Sequence, residues 1–154
     1  SAPGLSKGSG LGKYIMNPGN GGEVIINVTA KLPDGKTVSD KKSFKIKNIP
    51  APQGAIAGST GIVKGAKSRL EVSQISAIMD DFDFDVKIRV VQFDLKVPGQ
   101  GTITVNGDRV NAQCKTALAR ATRGDQILIS SIKTKIEGSE LKMKEASSVI
   151  YEIQ

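Results

Sequence analysis

The sequence predicts a mainly β protein with two small β-sandwich-like (Ig-like) units in tandem, the second of which carries one or two helices. Three observations lead to this fold class. Apolar and polar residues alternate over residues 24–32, which is the period of a half-buried strand. Aromatic residues make up only 4% of the chain and tryptophan is absent, so the core must come from smaller aliphatic side chains. Residues 50–54 (Pro-Ala-Pro-Gln-Gly) read as a stiff linker, which separates a first unit, residues 1–49, from a second, residues 50–154.

The first unit is predicted to be a β-hairpin with little else around it. Residues 1–12 are rich in glycine, serine and proline and indicate a flexible lead-in, followed by a short strand at 13–16. Residues 23–49 are predicted as the hairpin, because Pro-Asp-Gly-Lys at 33–36 supplies turn chemistry between two alternating segments. A hairpin alone is marginally stable in water. We therefore expect the unit to be part of an incomplete β-sandwich that pairs with a second copy of the chain.

The second unit is predicted to be a sheet layer with one or two helices on it. Residues 68–79 favour a helix slightly, and a strand is left open. The apolar positions change parity near residues 90–91, which predicts a β-bulge or bend within one long strand. Residues 108–122 carry an apolar stripe at helical spacing, with Asp108 as N-cap and Gly124 just past the C-terminus. Further strands are predicted at 102–105, 126–136, 141–143 and 148–153.

Composition argues against catalysis and against nucleic-acid binding. Lysine and arginine number 22 against 15 aspartate and glutamate, and the net charge of +7 bears on association rather than on fold. There is no histidine, so the commonest general base, the commonest metal ligand and every Ser-His-Asp arrangement are missing. Two tyrosines and four phenylalanines are too few for stacking along nucleic acid. We expect no enzyme activity, no cofactor, no metal site and no nucleic-acid partner.

Two charged strand faces are the candidate partner-binding surfaces. Lysines at alternating positions of the hairpin predict a basic outward face, which either docks an acidic partner or guards an exposed edge against aggregation. Aspartates alternate with phenylalanines at the start of the strand predicted from residue 82, and the plain interpretation is the solvated side of a half-buried strand. The candidates are Lys31, Lys41, Lys45 and Lys47 on the hairpin, and Asp81, Asp83 and Asp85 on the acidic strand.

One segment is a single residue away from a phosphate-binding P-loop. Residues 61–68 read Gly-Ile-Val-Lys-Gly-Ala-Lys-Ser, and the pattern requires glycine at the position of Ala66. That glycine lets backbone N–H groups converge on phosphate, so a loop with a basic end is the main interpretation and nucleotide binding the minor one. Cys114, the only cysteine, lies on the apolar stripe of the predicted helix, where a small buried hydrophobe is expected rather than a reactive thiol.

Several stretches, none of them a catalytic signature, carry a resemblance to a known family. They are residues 18–28 (Pro-Gly-Asn-Gly-Gly-Glu-Val-Ile-Ile-Asn-Val), 32–38 (Leu-Pro-Asp-Gly-Lys-Thr-Val), 44–50 (Phe-Lys-Ile-Lys-Asn-Ile-Pro) and 82–86 (Phe-Asp-Phe-Asp-Val). With the predicted helix, Arg-Gly-Asp at 123–125 and the long strand after it, they resemble the C-terminal periplasmic region of the PorM/GldM family of type IX secretion and gliding motility, more closely PorM.

The resemblance implies a non-catalytic structural and coupling role. In that family an N-terminal helix anchors the protein in the inner membrane and pairs with PorL in a motor. Four periplasmic domains form a dimeric shaft that reaches the outer-membrane ring components PorK and PorN. The chain would then be a periplasmic fragment and a homodimer, with the end of the third domain in residues 1–49, the fourth in residues 50–154, and the membrane helix outside it. A nucleotide-binding module using residues 61–68 and a surface adhesin module are the alternatives.

Overall fold

A computed structural model describes residues 1–19, 21–80, 86–139 and 141–154. The chain divides into two units, Ser1–Asn48 and Ile49–Gln154. Both consist mainly of β-strands, and two short helices lie in the second unit, which confirms the predicted fold class. No helix in the described part of the chain is long and apolar enough to span a membrane.

The first unit consists of two antiparallel hairpins. One pairs β1 (Leu5–Lys7) with β2 (Tyr14–Met16). The other pairs β3 (Glu23–Lys31) with β4 (Thr37–Lys45), which confirms the hairpin predicted over residues 23–49 and ends its return strand earlier. The prediction of a flexible lead-in over residues 1–12 was wrong, because β1 finds a pairing partner in β2 that its glycine-rich composition does not reveal.

The turn between β3 and β4 follows from its sequence. Gly35 has a φ of +81°, a conformation that glycine adopts without a steric penalty. Its N–H donates a hydrogen bond of 2.9 Å to the carbonyl of Leu32, whose own N–H donates to the carbonyl of Lys36 at 2.8 Å. The Lys36 N–H donates to Asp34 Oδ1 at 3.0 Å. Proline, aspartate and glycine thus fix the turn and, through it, the register of the hairpin.

The described residues of the second unit form two sheets and two helices. A three-stranded sheet has the order β6-β5-β8, and a five-stranded sheet has the order β10-β9-β11-β12-β7, in which only β12 and β7 are parallel. The strands of the small sheet are β5 (Gln53–Ile56), β6 (Ser59–Thr60) and β8 (Ile75–Ile78). Those of the large sheet are β7 (Ile62–Gly65), β9 (Ile88–Lys96), β10 (Thr102–Asn106), β11 (Gln126–Ile136) and β12 (Val149–Ile153). The helices are α1 (Lys67–Val72) and α2 (Ala112–Leu118).

The hydrophobic core of the second unit takes side chains from both sheets and both helices. Each large aliphatic or aromatic side chain that is fully buried stabilises the fold by about 1.5–3 kcal/mol relative to its exposed state. As the composition predicted, most of these side chains are aliphatic. The largest fully buried ones are Tyr151, Phe93, Ile56, Leu70, Ile75, Leu95, Leu118, Ile127, Ile129 and Ile132.

The parity change predicted near residues 90–91 is a β-bulge in β9. Gln92 pairs with Lys133 of β11, and the next pair along β11 is Thr134 with Val90, which leaves Val91 as the extra residue. The bulge returns Val90 to the core side, where it is buried. Two runs of apolar residues with opposite parity can therefore face the same core.

A second bulge lies in β11 and carries a strained residue. Ser130 pairs with Asp94 of β9, and the next pair is Lys133 with Gln92, so β11 holds one residue more than β9 between these pairs. Ser131, within this bulge, has a φ of +49°, which is rare for residues other than glycine. The two bulges lie next to each other on neighbouring strands.

The predicted helix over residues 108–122 is too long at its N-terminal end. The N-cap is Asn111, whose side chain accepts a hydrogen bond of 2.9 Å from the Cys114 N–H. Asp108 does not cap the helix, because its carboxylate accepts a hydrogen bond of 2.6 Å from Gln74 Nε2. Its backbone carbonyl accepts another, of 2.7 Å, from the Ile75 N–H. These bonds hold residue 108 outside the helix.

The C-terminal end of the same helix also differs from the prediction. After α2 ends, Arg120 and Ala121 donate hydrogen bonds to the carbonyls of Ala117 and Leu118, three residues back, at 3.2 and 2.9 Å. Gly124, predicted just past the helix, has a φ of +90° and belongs to the turn that leads into β11. The chain therefore leaves the helix through a tighter turn than the apolar stripe indicates.

Two other predictions of secondary structure meet mixed outcomes. Residues 68–79 were predicted to be a helix or a strand, and the segment contains both, because α1 is followed by β8. The strand predicted at 141–143 is absent, and only Lys142 forms an isolated bridge there, with Lys135. The segment before β12 thus runs beside β11 without a continuous ladder.

Candidate functional site

Three of the four candidate lysines share one face of the β3–β4 hairpin. Lys31, Lys41 and Lys45 occupy odd-numbered positions, and the register pairs odd with odd positions, for example Asn27 with Lys41. Residues directly opposite each other on an antiparallel pair project to the same side. Lys41 and Lys45 lie about 13 Å apart along the strand at the usual rise per residue. Lys47 is exposed but lies beyond the end of β4.

The first unit carries most of the positive charge of the chain. Residues 1–48 contain eight lysines and three acidic residues, so +5 of the total charge of +7 lies here. Among the described residues of this unit, the one salt bridge joins the exposed side chains of Lys36 and Asp34 at 3.7 Å and contributes little. Glu23 lies opposite Lys45 and accepts a hydrogen bond from the Ser43 hydroxyl. The lysine face (Lys31, Lys41 and Lys45) therefore keeps a net positive charge.

The other face of the hairpin presents apolar side chains that the first unit does not bury. Phe44 lies opposite Val24, and Val38 lies opposite Ala30. Phe44 is 49% exposed, Val38 48% and Val28 56%. None of the described side chains of the first unit reaches full burial. Exposed apolar patches of this kind mark sites of association.

The acidic candidates Asp81, Asp83 and Asp85 lie outside the described residues and stay predictions. The preceding aspartate is described. Asp80 Oδ2 accepts a hydrogen bond of 2.8 Å from Gln53 Nε2, which ties the end of β8 to the start of β5. Among the residues that the structure describes, no group of three or more acidic or cysteine side chains is close enough to hold a metal ion.

Residues 61–68 do not form a phosphate-binding loop. A P-loop needs an open glycine-rich turn whose backbone N–H groups converge on phosphate. Here Ile62–Gly65 is strand β7, and its backbone pairs with β12. The amine of Lys67 donates hydrogen bonds of 3.3 and 3.2 Å to the carbonyls of Ala119 and Ala121, just beyond α2. Lys67, which stands at the position of the phosphate-binding lysine of a P-loop, thus stabilises a neighbouring turn.

Cys114 is fully buried in the core, which confirms its prediction as a small hydrophobe. Burial raises the pKa of its thiol above the ordinary value, and a hydrogen bond with Asn111 lowers it in part. A thiol with a raised pKa stays protonated at neutral pH and is a poor nucleophile.

The structure also brings together a row of cations that sequence reasoning missed. Arg89 of β9 lies directly opposite Lys135 of β11, and Lys142 bridges to Lys135 from the other side. All three residues are exposed. Their alignment depends on the register set by the two bulges, which no local pattern in the sequence specifies.

Two family models match the chain. A model described as the GldM C-terminal domain matches residues 50–154, and one described as the GldM third domain matches residues 1–47. No curated protein matches the chain. Both models support the PorM/GldM family as a whole and do not separate its two branches. Since the first match alone covers more than half of the chain, the chain belongs to the GldM family of type IX secretion and gliding-motility components.

Proposed function

We propose that this chain is a non-catalytic, periplasmic coupling segment of the type IX secretion system, part of a dimeric shaft between an inner-membrane motor and an outer-membrane ring. The observation that carries the proposal is the tandem match to the GldM third and C-terminal domains, in that order and over almost the whole chain. The membrane anchor, and pairing with PorL through it, would belong to residues outside this chain.

A coupling role requires a body that resists deformation, and the second unit supports that requirement. β9 and β11 are nine and eleven residues long and pair side by side in the middle of the five-stranded sheet. Backbone hydrogen bonds hold these central strands on both sides, and the sheet packs on a core that includes ten large, fully buried side chains. Close-packed interiors have low compressibility and transmit strain.

The state of the first unit supports the proposed dimer. The β3–β4 hairpin is a sheet of only two strands, and its apolar face stays exposed. Two-stranded hairpins are at best marginally stable without further strands or a packing partner. A second copy of the chain would supply strands and apolar surface, and the shaft would then be stabilised by the pairing itself.

The ring components PorK and PorN are the proposed partners at the outer membrane. The lysine face gives the first unit a positive surface, and such surfaces accelerate association with acidic proteins. We propose that Lys41 and Lys45, together with Lys31 and Lys47, contact an acidic region of the ring.

Capture of the ring proteins by the full-length protein tests the proposal. The variant combines Lys41→Glu and Lys45→Glu, and its matched control combines Lys7→Glu and Lys13→Glu, which change the charge of the same unit equally at two other exposed lysines. We expect the unmodified protein and the control to retain PorK and PorN, and the first variant to lose them. Full capture by the first variant would show that the lysine face does not contact the ring proteins. Absence of capture by the unmodified protein would contradict the coupling role itself.

A further inference from the structure

A cluster of four cations occupies one end of the outer face of the five-stranded sheet. Arg89, Lys135 and Lys142 lie in one row across three neighbouring segments, and Lys133 follows on the same face of β11. Neighbouring strands lie about 4.8 Å apart, so the row spans about 10 Å. These four exposed residues are called the basic cluster below.

No salt bridge with another described residue reaches the basic cluster. Like charges directly opposite each other destabilise a sheet. The salt bridges among described residues are Lys36–Asp34 and Lys64–Glu152, so no member of the cluster takes part in one. Elsewhere on the same sheet Lys64 pairs with Glu152 at 3.0 Å. Among the described residues, Arg89, Lys135 and Lys142 therefore lie as like charges opposite one another, an arrangement that a bound anion would relieve.

A cleft adjoins the basic cluster and gives it an apolar side. The segment after β11 contacts that strand through two isolated bridges, and between them it leaves a cleft of about 440 Å³. Apolar lining comes from Val91, Leu141 and Met143, and Leu141 is 62% exposed. A cleft of this size, with apolar walls and a few charged groups, is typical of a binding site for a small group or side chain.

The spacing of the cations fits an extended peptide. Lys133 and Lys135 are two residues apart on a strand, a separation of about 7 Å. Side chains at alternating positions of an extended peptide have the same spacing, so two acidic residues flanking one other residue would reach both lysines. An apolar residue two positions further along would point to the same side, toward the cleft.

Nucleic acid fits this site less well than a peptide. Among the described residues that line the cleft, none carries an aromatic side chain on which a base could stack. Glu145 also lines the cleft, and its carboxylate disfavours an anionic group inside it, so the cleft suits the apolar residue of a peptide better than a phosphate.

We propose that the basic cluster and its cleft bind an extended acidic peptide segment of a partner protein, with acidic residues at alternating positions followed by an apolar residue. The inference rests on the proposed function at one point, which is the identity of the protein that carries this segment. It places a docking surface on the second unit, in addition to the lysine face proposed for the first.

Fluorescence anisotropy with the full chain tests the site directly. The probe is a labelled Asp-Thr-Asp-Thr-Leu peptide, and the control probes are Asn-Thr-Asn-Thr-Leu and the reordered Asp-Asp-Thr-Thr-Leu. The variant combines Lys133→Glu and Lys135→Glu. Its matched control combines Lys96→Glu and Lys115→Glu, two other exposed lysines of the second unit.

We expect the aspartate probe to bind at about 50 mM salt and to weaken as salt rises. The variant should bind at least about tenfold more weakly, the control variant less than about twofold, and both control probes should bind more weakly than the aspartate probe. An equal loss in both variants, equal affinity for the reordered probe, or tighter binding of a thymidine oligonucleotide through the same lysines would overturn the proposal. So would absence of binding at low salt, provided that circular dichroism shows a folded chain.

The peptide measurement and the capture of ring proteins fail independently. If the peptide binds while PorK and PorN are not captured, the result contradicts the proposed function and supports the peptide-binding site. If the ring proteins are captured and the peptide does not bind, the site is withdrawn and the coupling role remains.

Discussion

The hydroxyl of Tyr151 donates a hydrogen bond of 2.9 Å to the backbone carbonyl of Ala66, at the junction between β7 and α1. Tyr151 is fully buried, and its hydroxyl occupies the space that a Cβ at Gly65 would need. Strand β12 is thereby joined to the segment that resembles a P-loop in sequence. The glycine and the lysine of that segment serve packing, not phosphate.

Removal of this hydroxyl should destabilise the second unit. Tyr151→Phe deletes a hydrogen bond, which typically contributes about 0.5–1.5 kcal/mol, and leaves the Ala66 carbonyl with the Arg69 N–H as its remaining donor. We expect the free energy of unfolding in urea to fall by about 1 kcal/mol or somewhat more. Tyr14→Phe is the control, since Tyr14 is 58% exposed and should change stability very little. Equal stability of the unmodified chain and Tyr151→Phe would contradict the assigned role.

A double-mutant cycle should show that Gly65 and Tyr151 are coupled. Gly65→Ala places a methyl group where the tyrosine hydroxyl lies, so one of the two groups must move. We expect Gly65→Ala to cost roughly 1–3 kcal/mol, as overpacking does, and to cost less when Tyr151 is already phenylalanine. Gly101→Ala has open space around its Cβ and serves as the control. Additive costs in urea unfolding would show that the two residues act independently.

Lys67 should contribute to stability and not to nucleotide binding. Its amine caps the carbonyls of Ala119 and Ala121, so Lys67→Met should lower the unfolding free energy by about 1 kcal/mol. Lys115→Met, at an exposed lysine of α2, is the control. A ligand that binds only the folded state raises the melting temperature. Because residues 61–68 do not form a phosphate-binding loop, we expect ATP with magnesium to leave the melting temperature of the unmodified chain unchanged. A rise with ATP that Lys67→Met abolishes would restore the P-loop interpretation.

The sequence allows the local features of this fold to be predicted, and the contacts between distant segments explain where prediction fails. The alternation of apolar and polar residues is enough to predict the β3–β4 hairpin. The change of parity in the apolar positions is enough to predict the bulge at Val91. The N-terminal end of α2 could not be predicted, because Gln74 and Ile75 engage Asp108 from a distant part of the chain.

The candidate surfaces divide in the same way. Lys41 and Lys45 could be placed on one face because they belong to a single strand whose period is visible. The row formed by Arg89, Lys135 and Lys142 could not, since it depends on the register between three segments and on bulges in two of them. Charge clusters that cross strands become visible only when the pairing is known.

Stability should decline at alkaline pH through two buried acids. Burial raises the pKa of the Cys114 thiol above 9.0, and it raises the pKa of the Tyr151 hydroxyl above 10.0 against a smaller lowering by Arg69. Each group holds its proton more tightly when folded. Its stabilising contribution is therefore complete below the ordinary value and is lost as the pH rises through the folded-state value.

Melting temperatures measured between neutral pH and about pH 11 test this dependence, because each group can add up to about 1.4 kcal/mol per pH unit to the slope. Cys114→Ala should be less stable at neutral pH, since it removes a buried side-chain atom, but its decline should begin later than that of the unmodified chain. All other groups are the same in the three chains and cancel in the comparison. Identical alkaline slopes for Cys114→Ala, Tyr151→Phe and the unmodified chain would refute the prediction.

Reversal of the central charge of the basic cluster should raise stability while it weakens peptide binding. Lys135 lies between Arg89 and Lys142, so Lys135→Glu replaces two like-charge neighbours with two opposite-charge neighbours. Cross-strand pairs of opposite charge contribute roughly 0.2–1 kcal/mol each, and we expect a gain of that order in urea unfolding that shrinks at high salt. Lys96→Glu is the control, because Lys96 pairs with Thr102 and Leu128 and has no cation opposite it. A chain that gains stability yet loses the aspartate peptide would show that the repulsion in the row is retained for binding, whereas a loss of stability would mean that the three cations do not repel one another in the folded chain.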